Sequence, residues 1–163
     1  MIESIISFFE SINPSFGTFI ISMIPIIELR GAIPAGIAAG LHWFWVYVLC
    51  IVGNMLPIPF VIRIIRPLIE WLIHSRLFHK IGNWLDNRTR KKSESVLKYK
   101  KLGLVIFVAI PLPGTGAWSG AMIAGMLNMR LKDALPAILL GVLLAGVIMT
   151  LLSLGVLNIA GLA

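Results

Sequence analysis

The sequence predicts an all-α integral membrane protein built from two inverted repeats. Each repeat is a re-entrant helical hairpin followed by a transmembrane helix, and interfacial amphipathic helices complete the chain. Three observations carry this expectation. Of 163 residues, 58% are hydrophobic and only 13% charged, with a mean hydropathy of +0.95; soluble domains carry about 25% charged residues. Nine of the 14 lysines and arginines fall between Arg76 and Lys101, the segregation that marks a cytoplasmic loop between membrane segments. Finally, two apolar stretches broken by proline and glycine each precede a long, cleaner apolar run.

Composition also excludes alternatives. A disordered chain, a coiled coil and a disulfide scaffold do not fit, and the single cysteine, Cys50, has no partner within the chain. The net charge of +7 sits mainly in one loop, where it suits anionic lipid headgroups rather than nucleic acid. Met1 to Glu10 lacks a basic start and a small-residue cleavage site, so no cleaved signal peptide is expected.

Residues 1–13 space Ile2, Ile5, Ile6, Phe9 and Ile12 as one face of an acidic interfacial helix, which Asn13-Pro14 ends. Residues 16–40 are apolar but carry Pro25, Glu28, Arg30, Gly31 and Pro34. Facing lipid at the centre of a continuous span, these groups would be costly. Two legs of about 11–12 residues, each reaching roughly 17 Å, instead fit a re-entrant hairpin with its tip between Glu28 and Pro34. Residues 41–66 form a transmembrane helix with an aromatic belt (Trp43, Trp45, Tyr47) at the outer end and Arg63 and Arg66 at the cytoplasmic end. Asn54, Pro57 and Pro59 bend its inner half. Residues 67–101 form an amphipathic and basic cytoplasmic connection. Residues 102–125 repeat the hairpin, with Pro111, Pro113, Gly114, Thr115, Gly116 and Trp118 at its tip. Residues 134–157 form the second span, with Pro136 in its first turn, where proline is tolerated.

A shift of 85 positions superposes Gly31-Ala32 on Gly116-Ala117 and Ala39-Gly40 on Ala124-Gly125. If each hairpin returns to its own side, the halves are inverted and their broken tips meet at the bilayer midplane, as in many secondary transporters. Arg130 and Lys132 then lie on the cytoplasmic side.

Glu28 and Arg30 are the ionisable residues set deep in an apolar segment, which makes them candidates for substrate or ion binding. A spacing of two residues points side chains apart in a helix and in a strand alike, so each is expected to meet a group other than its neighbour. Glu28 suits a proton carrier, and Arg30 suits bidentate grip on an anion. Gly114, Thr115 and Gly116 offer backbone amides to an anion, Trp118 offers an apolar wall, and Asn54 either lines a path or satisfies the broken backbone beside Pro57. Gly36/Gly40 and Gly116/Gly120 have the spacing of close helix packing. His42, His74 and His79 show no metal-ligand spacing, and no HExxH, GxSxG or Walker A pattern occurs. No enzyme activity, cofactor or metal is therefore expected.

Glu28-Leu-Arg-Gly-Ala-Ile-Pro-Ala-Gly36 and Pro111-Leu-Pro-Gly-Thr-Gly-Ala-Trp118 resemble the bacterial and archaeal putative small multi-drug export proteins, over nearly the whole chain. More distantly the chain is similar to the DedA superfamily, whose members carry two opposed re-entrant hairpins. Glu28 matches the acid of that superfamily's first hairpin, and Pro113-Gly114, Ala124-Gly125 and Met129 match its second. Thr115 stands where the superfamily has an arginine. The resemblance implies a small secondary transporter or lipid translocase of the plasma (inner) membrane. It would move an anionic or amphiphilic molecule, such as a polyprenyl phosphate or a drug, by alternating access coupled to protons or Na+. The expected partners are membrane lipids, the substrate and, because so short a chain exposes much apolar surface, a second copy in a homodimer. A non-transporting membrane scaffold is the alternative.

Overall fold

The structure, a computed structural model, describes residues 13–74, 94–112 and 114–159. The expected interfacial helix over 1–13 and most of the basic connection lie outside these residues. The described chain is helical: α1 (Pro14–Met23), α2 (Glu28–Ala38), α3 (Trp43–Met55), α4 (Ile58–His74), α5 (Glu94–Ala109), α6 (Ala117–Met126) and α7 (Leu131–Ile159), with no strand among the described residues. Helix α4 runs on into the connection, and α5 begins at Glu94, ahead of the boundary at 102.

Local chemistry sets these boundaries. The Asn13 side chain accepts from the Ser15 amide at 2.9 Å, with Pro14 in the first turn, where its missing N–H costs nothing. The His42 ring opens α3 by accepting from the Phe44 amide at 3.3 Å. Pro57 and Pro59 cannot donate to the Gly53 and Met55 carbonyls, so α3 stops at Met55 and the chain resumes as α4, a break where the sequence predicts a bend. Two prolines depart from expectation. Pro34 lies inside α2 rather than in a tip, because the first turn falls earlier, at residues 24–27. Pro136 lies inside α7 rather than in its first turn, because the helix already starts at Leu131.

Helices α1 and α2 form a hairpin of 10- and 11-residue legs, each about 15–17 Å long. The two legs pack closely: a Cβ on Gly36 would stand 2.8 Å from the Thr18 hydroxyl and 3.0 Å from Val46 of α3. In the second hairpin, α5 and α6, Lys101 midway along α5 pairs with Asp133 in the first turn of α7 at 2.7 Å. The second leg of each hairpin ends in the same three backbone hydrogen bonds. Ala39, Gly40 and Leu41 donate to Ala35, Ile37 and Gly36; Leu127, Asn128 and Met129 donate to Ile123, Gly125 and Ala124. Both turns need a left-handed residue, Gly40 at φ 83° and Asn128 at φ 50°. These turns repeat at a separation of 88 residues rather than the 85 that the scattered sequence identities suggest. Gly40 has nothing within 4 Å of an added Cβ, so it serves the turn rather than the close packing expected of it.

Gly53 of α3 and Gly141 of α7 also stand 88 apart, and each lets its long helix press on the first leg of its own hairpin. A Cβ there would stand 2.7 Å from the Phe19 carbonyl or 2.9 Å from the Val105 carbonyl. The half-to-half contacts follow the same scheme, with α2 against α7 and α6 against α4. Ile33, Val46, Cys50, Ile138 and Val142 form the middle of the core. Two stretches, Trp43–Ile65 of 23 residues and Leu131–Val156 of 26, are long and apolar enough to cross a membrane. Phe60, Ile64, Leu140, Leu144 and Leu151 point outward from them uncovered.

Candidate functional site

The two hairpin tips meet. In the first, the chain turns through residues 24–27 and enters α2 at Glu28, whose amide donates to the Ile24 carbonyl at 2.9 Å. Glu28 takes a left-handed φ of 50° and is only 3% exposed. Its carboxylate reaches across to the start of α6. Oε1 accepts from the Trp118 amide at 3.1 Å, and Oε2 from the Ala117 amide at 3.3 Å. Helix starts leave such amides unsatisfied and carry partial positive charge, so an anion belongs there. Gly116 makes room, since a Cβ at that position would fall on the Glu28 carboxylate.

Arg30 does the converse at the end of α5. Its Nη2 donates to the carbonyls of Ile110 at 3.1 Å, Val108 at 3.3 Å and Thr115. These carbonyls lie at and just beyond the negative end of the helix, where a cation is favoured. The Thr115 hydroxyl bonds the Ile110 carbonyl at 2.6 Å and the Leu112 carbonyl at 3.0 Å, and accepts from the Leu112 amide at 3.3 Å, which ties the second tip to itself. Trp118 returns the favour to the first hairpin: its indole Nε1 donates to the Met23 carbonyl, the last of α1, at 3.2 Å.

Arg30 and Glu28 also pair directly, Nη1 to Oε2 at 2.7 Å, against the expectation drawn from their spacing. A two-residue spacing points side chains apart only where both residues have regular helix or strand geometry. The left-handed Glu28 sits at the very start of α2 and swings its side chain over the turn, where the long arginine side chain reaches it. The other half of the expectation stands, for both residues also bind the second hairpin.

Asn54 shares the depth of this cluster. Val46 stands against Gly36, and α2 and α3 run antiparallel, so eight residues along each from that contact arrive at Glu28 and Asn54. The Glu28 carboxylate sits on the Ala117 and Trp118 amides, which brings the start of α6 to the same level. Both tips and the break in the first span therefore lie at one level. Asn54 is 0% exposed, and neither its Oδ1 nor its Nδ2 has a hydrogen-bond partner; the buried Arg30 Nε has none either.

Of the residues singled out in the sequence, Glu28, Arg30, Thr115, Gly116 and Trp118 come together, with Pro25, Pro111 and Gly114 in the turns around them. Gly31 lies in α2 rather than at a tip, and its missing Cβ accommodates the Ile27 side chain. Pro113 lies outside the described residues. Trp118, expected as an apolar wall, acts here as a hydrogen-bond donor through its indole. The glycine pair Gly53 and Gly141 escaped the sequence reading; a register of 88 applied to the spans would have found it. Among the described residues, no group of three His, Cys, Asp or Glu could hold a metal ion.

Two amides and a guanidinium converging on one carboxylate make an oxyanion-binding set, here occupied by the protein's own Glu28. The sequence profile of the family described as putative small multi-drug export protein matches residues 28–148, a stretch that begins at Glu28 and includes Arg30, Asn54, Thr115 and Trp118. No curated protein sequence and no solved structure matches the chain.

Proposed function

The chain belongs to the putative small multi-drug export protein family, and from that premise we propose that it is a small secondary transporter or lipid translocase of DedA-like type in the plasma membrane of a bacterium or archaeon. The two hairpins are re-entrant and enter from opposite faces, and the halves form inverted repeats around a midplane site. The substrate is an anionic or amphiphilic molecule.

The carrying observation is the Glu28 carboxylate seated on the Ala117 and Trp118 amides beside Arg30. A substrate anion has the same chemistry as this side chain and competes for the same donors. Protonation of Glu28 removes its charge and weakens its hold on the amides and on Arg30. The donors are then released to the substrate, and proton uptake is coupled to substrate binding. Loss of the proton on the other side returns Glu28 to its seat and expels the anion. Arg30 also holds the end of α5, so its transfer to a substrate loosens the second tip. That connection lets binding alter which side of the tips is open.

Vesicles containing the purified protein test this reading with a fluorescent anionic lipid and an imposed pH gradient. Wild type is expected to move the lipid faster with the gradient than without it. Glu28→Gln abolishes the dependence on the gradient, and Arg30→Lys lowers the rate. Gradient-driven movement in Glu28→Gln would remove the coupling role, and no movement by wild type would favour a scaffold. Cysteines introduced at Lys132 and Trp43 check the topology: reagents that cannot cross the membrane label them from opposite sides.

A further inference from the structure

From the unpaired Asn54 amide, we propose that Asn54 is a substrate-binding residue that recognises a hydroxyl group carried beside the substrate's anion. Asn54 lies seven residues beyond Tyr47, on the same side of α3. Tyr47 stands against α7, donating to the Leu143 carbonyl at 3.3 Å and packing on Gly146. Asn54 thus faces the interior at the depth of Glu28 and Ala117. The antiparallel run of α3 and α7 brings it level with the apolar stretch that contains Ile138 and Val142, both 0% exposed.

A buried side-chain amide with no partner is costly, and an apolar residue of the same shape avoids that cost. The second half does so: 88 residues on, the position is Val142, in the uninterrupted α7. The asparagine is therefore not required by packing. Its chemistry indicates the ligand. A cation would satisfy Oδ1 and leave Nδ2 unpaired, whereas a hydroxyl both donates to Oδ1 and accepts from Nδ2. The Arg30 Nε, unpaired and buried, adds a donor for the anion itself. Sites built to bond a substrate hydroxyl discriminate strongly against analogues that lack it. This inference rests on the transporter reading only in taking an anion to bind beside Arg30.

The test measures stabilisation of the detergent-purified protein by dioctanoyl phosphatidylglycerol and by dioctanoyl phosphatidylpropanol, which carries the same anion without hydroxyls. Wild type is expected to bind the glycerol lipid at least about tenfold more tightly. Asn54→Leu brings the two lipids to parity while the lipid-free protein melts at a higher temperature. Equal binding of the two lipids by wild type overturns the inference and leaves the anion site standing; this comparison needs no variant. Persistence of the preference in Asn54→Leu, which would point to a resident water on the amide, also overturns it. So does stabilisation by Na+ over choline that Asn54→Leu removes. Failure of both lipids to bind removes the anion site itself, and the inference with it.

Discussion

Ala39, Gly40 and Leu41 end the second leg of the first hairpin with the three hydrogen bonds that Leu127, Asn128 and Met129 repeat in the second. Gly53 and Gly141 press the two long helices onto first legs in the same way. In this shared register the centre is nonetheless unequal. Glu28 corresponds to Gly116, Arg30 to Trp118, Asn54 to Val142 and Pro57 to Ala145. The first half supplies the charged and polar side chains and a broken span. The second supplies bare amides, helix-end carbonyls and an unbroken helix. Each half is incomplete without the other: an acid and a guanidinium buried alone would be costly, as would helix ends buried without partners.

The largest effect should come from giving the second half a side chain where it has none. Gly116→Val drives the Glu28 carboxylate off its two amides, and hydrogen bonds to a charged group contribute about 1.5–3 kcal/mol each. Thermal unfolding in detergent should show it; a loss under about 1 kcal/mol would mean that the carboxylate docks elsewhere. The next test compares the two donors that cap opposite hairpins. Arg30→Lys gives up the fork that spans several carbonyls and is expected to cost about 2–3 kcal/mol, whereas Trp118→Phe loses one neutral hydrogen bond worth about 1 kcal/mol. Equal losses would break the distinction between a charged and a neutral half.

Gly53→Ala and Gly141→Ala ask whether the halves are equivalent away from the tips. Each should destabilise by about 1–2 kcal/mol, because each new methyl meets a carbonyl oxygen that cannot move freely. A large difference between them would place the shared skeleton in question. The smallest effect belongs to the turns. Gly40→Ala should destabilise by about 1 kcal/mol, and Asn128→Gly should stabilise by a few tenths of that, since only the asparagine already bears the strain of a left-handed residue. Melting temperatures of the two variants should move in opposite directions.

Much of this was legible in the sequence. Pro25, Pro57, Pro59, Pro111 and Gly114 mark where helices stop, because a missing N–H or a left-handed φ acts locally. Glu28, Arg30 and Asn54 stand out because polar groups are rare in such segments. The Glu28–Arg30 ion pair was not legible. The left-handed backbone at Glu28 accompanies docking on α6, a contact 89 residues away that local spacing does not encode. Pro34 misled for a related reason: packing against α1, α3 and α7 keeps α2 helical through a proline that propensity alone would treat as a break. The register of 88 was hidden because the halves share hydrogen-bond geometry rather than residue identities, and their tips differ in length.

The paired turns at 39–41 and 127–129 have a mechanical consequence. Each fixes the end of a second leg and the first residues of the connection beyond it, while α2 packs along α3 and α6 along α7, so each pair is expected to move as a unit. Flexing is then expected at the turn 24–27, at the start of α6 around residues 114–116 and at the break at residues 56–57. A disulfide across either turn should leave such motion intact, whereas one between the tips should arrest it.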